Sequence, residues 1–132
     1  MRGQCLCGSI EVEAPEIAGI DVCHCSTCRR WSGGPMLAVH CGSEVNFTGG
    51  EPATFQSSEW AERGFCRNCG THLFYHLKGN DEYILPAGLF AKQDFQMNSE
   101  IFIDEKPAYY TFSNETQKMT GAEVFAMFAA ED

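Results

Sequence analysis

Seven of the eight cysteines in this 132-residue chain fall into three tight groups, and nothing else in the sequence constrains its folding as strongly. The groups are Cys5-Leu6-Cys7, Cys23-His24-Cys25-Ser26-Thr27-Cys28 and Cys66-Arg67-Asn68-Cys69. Cysteines one residue apart rarely bridge, because a disulfide fixes the distance and orientation of both Cβ atoms. A metal ion has no such difficulty: it gathers thiolates from short CxC and CxxC turns, each pair supplying half of a tetrahedral shell. A disulfide framework would also need an oxidising compartment, usually reached through a secretory signal. The opening Met1-Arg2-Gly3-Gln4-Cys5 shows no apolar run before a small-residue cleavage site. The expectation is therefore a cytoplasmic, metal-stapled protein.

The length suits one domain, residues 1–132, with a core small enough for a structural metal to matter to stability. Apolar stretches fall far short of a membrane span, so no membrane partner is expected. The formal charge of -9 argues against nucleic acid as a partner. Seven thiolates holding two Zn²⁺ ions would add about -3 to it. Four of the five arginines nevertheless stand beside cysteines: Arg29 and Arg30 follow Cys28, while Arg63 and Arg67 bracket Cys66. The site can be locally basic on an acidic protein.

Period-two alternation in Ser9-Ile10-Glu11-Val12-Glu13 and β-rich runs at Met36 to His40, Glu44 to Phe47, Thr71 to Leu77 and Glu82 to Leu85 predict short strands. Glycines between them supply tight turns. The fold class expected is mainly β, built of antiparallel strands. Two segments read as helical. Ser26 is placed to cap a turn running through Cys28 and Trp31 to Gly33, which sets thiolates near a helix N-terminus. At the C-terminal end, over 120–130, Thr120-Gly121-Ala122-Glu123 has the spacing of a capping box, and Val124, Met127 and Phe128 form an apolar stripe suited to packing on a sheet.

A CxC turn and a CxxC turn contribute two ligands each, so Cys5 and Cys7 with Cys66 and Cys69 complete a closed, structural site. Cys23, Cys25 and Cys28 are then left as three ligands from one short segment. An open fourth position marks a catalytic zinc, able to accept a thiolate or a carbonyl oxygen as a Lewis acid. A closed version would take Cys41, His24, His40 or His72 as fourth ligand. Pairing Cys25 and Cys28 with Cys66 and Cys69 as a zinc ribbon needs too long an intervening stretch, and a thioredoxin-type role for Cys25 and Cys28 lacks its βαβ context. The lone Cys41 reads as a small buried hydrophobe. His24, inside the cysteine cluster, is a candidate to hydrogen-bond a thiolate or substrate. Trp31, Trp60, Phe65 and Phe74 read as core.

Taken together, Cys5-Leu6-Cys7-Gly8-Ser9-Ile10, Cys23-His24-Cys25-Ser26-Thr27-Cys28-Arg29, Phe65-Cys66-Arg67-Asn68-Cys69-Gly70-Thr71, Pro86-Ala87-Gly88-Leu89 and Ile101-Phe102-Ile103 make the chain resemble the glutathione-dependent formaldehyde-activating enzymes and their centromere protein V relatives. The resemblance covers residues 3–112. It implies a folded-tent β fold, a structural Zn²⁺ on Cys5, Cys7, Cys66 and Cys69, and a second, catalytic Zn²⁺ on Cys23, Cys25 and Cys28 where a thiol substrate binds. The activity it implies is a carbon-sulfur lyase reaction run in reverse, joining glutathione to formaldehyde as S-hydroxymethylglutathione. A thiol adds to a carbonyl as the thiolate, whose formation a zinc ion or a nearby arginine favours. Arg29 and Arg30 are placed to hold the carboxylates of glutathione.

Two classes of function are therefore open. One is a zinc-dependent carbon-sulfur lyase acting on a small thiol such as glutathione. The other is a non-catalytic, zinc-stapled binding module of the same fold. A methionine sulfoxide reductase-like role would need a resolving partner for Cys41, and no cysteine is spare.

Overall fold

The computed structural model describes the backbone of residues 1–131 and the side chains of residues 1–127. Its strands begin with β1 (Arg2–Gln4), β2 (Glu11–Glu13), β3 (Gly19–Cys23), β4 (Met36–Gly42), β5 (Asn46–Thr48) and β6 (Ala53–Phe55). They continue with β7 (Ala61–Phe65), β8 (His72–Leu77), β9 (Glu82–Pro86), β10 (Gln96–Ile101) and β11 (Gln117–Met119). Helix α1 (Ser26–Ser32) follows β3, and α2 (Gly121–Glu131) closes the chain. The protein is mainly β, as the turn-punctuated sequence predicts. Contacts divide it into two compact units, Met1–Ala18 with Ala38–Phe95 and Gly19–Leu37 with Gln96 onward.

In the first unit β1, β2 and β5 form a small antiparallel sheet in that order. Val12 is the buried centre of β2 between exposed Glu11 and Glu13, so strict alternation places one methyl-rich side chain inside and two carboxylates in water. β4 pairs with β9, and β9, β8, β7 and β6 follow as an antiparallel meander. Val39, Ala61, Leu73 and Leu85 are completely buried there. The predicted strands at Met36 to His40, Thr71 to Leu77 and Glu82 to Leu85 are therefore found, each within a residue or two of β4, β8 and β9.

Close approach within this meander depends on a missing side chain. Gly64 on β7 faces Phe74 on β8, and a Cβ at Gly64 would lie 2.0 Å from the Phe74 ring. The ring thus lies flat over bare backbone and meets Phe47 and Tyr83 at centroid distances of 5.2 and 5.3 Å. Tyr83 in turn stacks on His76 at 4.0 Å.

The second unit departs from the antiparallel expectation. β10 runs parallel to β3 on one side and parallel to β11 on the other. Parallel neighbours need long connections rather than hairpins, and the chain supplies one between Cys23 and Gln96. Strand β10 also carries Gln96, Asn98, Ser99 and Glu100, so polarity hides it from any apolar-run reading.

Both expected helices form. α1 is capped by Cys25 rather than Ser26: the Cys25 sulfur accepts the Cys28 amide, and Ser26 is already helical. Gly33 ends it at φ 86°, the left-handed conformation a helix C-cap favours. At α2 the capping box is complete, with the Glu123 amide donating to Thr120 Oγ1 at 3.2 Å and the Thr120 amide to Glu123 Oε1 at 3.0 Å. The apolar stripe is only partly engaged. Val124 is buried, Met127 stays 54% exposed, and the Phe128 side chain lies outside the described residues. The helix is instead anchored by its first turn, where the Gly121 amide donates to Asp104 and Phe125 meets Phe102 edge-on. Among the described residues no helix is long and apolar enough to cross a membrane.

Gly64→Ala is expected to cost about 1–3 kcal/mol through overpacking against Phe74. Leu85→Ala is expected to cost about 2–5 kcal/mol through cavity formation. Gly79→Ala, where a Cβ meets nothing within 4 Å, should change stability by less than about 0.5 kcal/mol, all three variants being measured by urea titration.

Candidate metal centres

The first unit gathers Cys5, Cys7, Cys66 and Cys69 with all four sulfurs within 4.8 Å of one another. Cys5 and Cys7 sulfurs are 3.6 Å apart, and those of Cys7 and Cys66 3.8 Å. A tetrahedron of sulfurs about 2.3 Å from a zinc ion has edges of about 3.8 Å, so the donor set fits a tetrahedral Zn²⁺ in both chemistry and spacing. Cys5 and Cys66 are buried, Cys69 is half-buried and Cys7 faces solvent.

Two related turns build this site. After β1 the Cys5 amide donates to Ile10 O and the Gly8 amide to Cys5 O; after β7 the Cys66 amide donates to Thr71 O and the Gly70 amide to Cys66 O. Gly8 and Gly70 have φ of 78° and 79°, a conformation that side-chain-bearing residues resist, and each follows the second cysteine of its pair. The Ile10 amide also points at the Cys5 sulfur, 3.4 Å away.

Each glycine is followed by a hydroxyl. Ser9 Oγ lies 3.0 Å from the Cys7 sulfur and 3.4 Å from that of Cys66. Thr71 Oγ1 accepts the Leu6 amide at 3.1 Å and reaches the Cys69 sulfur at 3.1 Å, joining the two turns. That hydroxyl, with neighbouring amides, lowers the Cys69 thiol pKa to about 5. Ser9 and Thr71 went unread as site residues in the sequence. Their signal was there, in the repeated Cys-Gly-Ser and Cys-Gly-Thr.

The second unit gathers Cys23, Cys25 and Cys28, again with sulfurs within 4.8 Å. Cys23 ends β3 opposite Ile101 of β10, Cys25 caps α1 and Cys28 sits in its first turn. Cys23 and Cys28 are buried. The sulfurs of Cys25 and Cys28, with burial, push the Cys23 thiol pKa far up, because three thiolates cannot share so small a space without a cation. That donor set fits a metal ion. Among the described residues no fourth histidine, cysteine, aspartate or glutamate joins the group.

The residues weighed as a fourth ligand have other surroundings. Cys41 is the extra residue where the β4–β9 register shifts, 3% exposed, its thiol raised to about 11 chiefly by burial. His40 meets Glu82 at 3.5 Å, and His72 Nε2 donates to Phe74 O at 3.1 Å.

His24, between two cysteines of the group, is completely buried. Its amide donates to Ile101 O at 3.1 Å, its carbonyl accepts Arg29 Nε at 3.0 Å, Nε2 lies 2.8 Å from Glu100 Oε1, and Nδ1 lies 2.7 Å from the Tyr110 hydroxyl. Glu100 is itself buried, and its other oxygen accepts the Thr116 hydroxyl. Burial alone would raise the Glu100 carboxyl; hydrogen bonds from Thr116 and His24 outweigh it and hold the pKa below its usual value. Arg29 is half-buried behind this loop and Arg30 is exposed. Glu100, Tyr110 and Thr116 carry no motif, and only the fold brings them to His24.

Fold and sulfur clusters together define a mainly β protein with two sets of thiolates able to hold metal. Residues 1–105 match the family described as glutathione-dependent formaldehyde-activating enzyme, and the chain belongs to that family. It is 36% identical over 127 residues to an uncharacterized lyase of Schizosaccharomyces pombe, covering 93% of each chain. It is also similar to the crystal structure of a Rhodobacter sphaeroides protein, with a TM-score of 0.59 and 26% identity over 74% of this chain and all of that one.

In chelator-treated protein near neutral pH, Cys69 should be alkylated fastest by iodoacetamide, and Cys41 should stay unmodified until denaturant is added. Thr71→Val removes the hydroxyl that stabilises the Cys69 thiolate, so Cys69 labelling should slow several-fold at pH 6 and recover above about pH 9. Mass spectrometry of tryptic peptides reads both.

Proposed function

We propose that the chain is a zinc-dependent carbon-sulfur lyase that forms or cleaves a thiol adduct, with glutathione and formaldehyde giving S-hydroxymethylglutathione as its reaction. The observation that carries this reading is the contrast between a complete group of four thiolates and a group of three. Four close a tetrahedron and staple a fold; three leave a coordination position for substrate. Family membership and the lyase-named relative support the same reaction class.

In the synthetic direction the thiol sulfur bonds to the formaldehyde carbon, the carbon-oxygen π pair moves to oxygen, and the thiol proton ends on that oxygen as the hydroxyl of the adduct. A Zn²⁺ ion held by Cys23, Cys25 and Cys28 would supply the positive charge that lowers the thiol pKa and polarises the carbonyl. The chain's own residues do the positioning. The Cys28 amide donates to the Cys25 sulfur at 3.4 Å and fixes that ligand at the start of α1. Arg29 ties α1 back to the His24 carbonyl, and its guanidinium, with exposed Arg30, supplies charge for the carboxylates of a tripeptide thiol. His24 is completely buried and holds the Tyr110 hydroxyl 2.7 Å from its Nδ1. On this reading the protein works as a cytoplasmic enzyme with one structural and one catalytic zinc.

Zinc per chain is measured on protein purified without chelator, for wild type and Cys25→Ala, and each is titrated calorimetrically with glutathione. Two zinc ions falling to one, with glutathione binding lost, is the expected result. One zinc in both proteins and no thiol binding would leave a zinc-stapled binding module instead.

A further inference from the structure

We propose that Glu100 is a positioning residue for the three-cysteine centre: its buried carboxylate fixes the ring of His24, and through His24 the placement of Cys23 and Cys25. This rests on the reading of Cys23, Cys25 and Cys28 as metal ligands. A glutamate 1% exposed is costly unless each of its oxygens has a hydrogen-bond partner. Glu100 meets that condition. Oε1 takes His24 Nε2, while Oε2 takes the Thr116 hydroxyl and faces Lys118 Nζ at 3.7 Å. The parallel register supplies the geometry, setting Glu100 beside Val22 and Lys118, and Ile101 beside Cys23.

The consequence for His24 is directional. An ionised carboxylate only accepts, so Nε2 donates to Glu100, and the ring so oriented sets Nδ1 2.7 Å from the Tyr110 hydroxyl. With amide and carbonyl also held, by Ile101 and Arg29, every polar atom of the residue between Cys23 and Cys25 is anchored. Its two flanking sulfurs therefore leave a pinned backbone. Such pre-set thiolates bind metal without first losing loop entropy, and partners of this outer kind are typically worth 10- to 100-fold in metal affinity.

The test is Co²⁺ titration of the full chain against a competing chelator, read by thiolate charge-transfer and d–d absorption, with Cys25→Ala assigning the bands of the three-cysteine centre. For Glu100→Gln, affinity there should fall ten- to a hundredfold and the d–d envelope should change, while the four-cysteine centre binds as in wild type. Thr116→Val, a milder change that leaves His24 and Glu100 in contact, should weaken the same centre several-fold. Unchanged affinity and spectrum in both variants would overturn the proposal, whatever the thermal midpoint does. So would equal weakening of both centres in step with the midpoint, which a purely structural role produces. A wild-type chain that loads Co²⁺ at both centres and binds glutathione, beside variants that behave identically, defeats only the role of Glu100. A wild type that takes up no Co²⁺ on Cys23, Cys25 and Cys28 defeats this role and the lyase reading together.

Discussion

The mutual repulsion of clustered thiolates is the constraint on which the rest of the structure depends. Four sulfurs within 4.8 Å of one another, two of their edges 3.6 and 3.8 Å, are stable together as thiolates only around a cation, which the polypeptide does not supply. Cys7 and Cys66 are 59 positions apart, and loop-closure reasoning of the kind used for disulfides values such a clip at about 4 kcal/mol. For a small domain that is a large share of total stability. An ion there would hold β1, which ends at the residue before Cys5, at its end as well as along its ladder.

The two sulfur groups share a chemistry and differ in how the chain supports them. The four-cysteine group is enclosed by two similar turns with left-handed glycines and turn amides, and the hydroxyl two residues beyond each second cysteine also reaches the other turn. The three-cysteine group draws its support from far along the chain. Glu100, Tyr110 and Thr116 lie 76, 86 and 92 positions after His24 (100 - 24, 110 - 24 and 116 - 24), yet all belong to the hydrogen-bond chain around that ring.

A mixed sheet follows from the same need. An antiparallel hairpin would bring sequence neighbours beside Cys23, whereas the parallel register of β10 brings Glu100 and Ile101. A polar strand can sit centrally, between β3 and β11, because each oxygen of its buried carboxylate has a hydrogen-bond partner. Leaving Oε1 or Oε2 without its partner would convert that strand from support into a liability.

What the sequence by itself determined is local: the three cysteine groups, the glycine turns, strands β4, β8 and β9, the end of α1 at Gly33 and the capping box at Thr120 and Glu123. In each case residues close in sequence do the work, so spacing and residue type suffice. Strands β7 and β10 escaped notice because their burial pattern is unrelated to their hydrophobicity; Arg63 and Glu100 are inside. The cap of α1 moved from Ser26 to Cys25 because the Cys25 sulfur accepts the amide of Cys28 in the place a hydroxyl would take. Only the tertiary structure decided that His24 is enclosed by Glu100 and Tyr110, that β10 runs parallel to β3, and that Phe74 lies on Gly64. Those pairings depend on long-range register, which a one-residue slip would reverse and which no short window of sequence encodes.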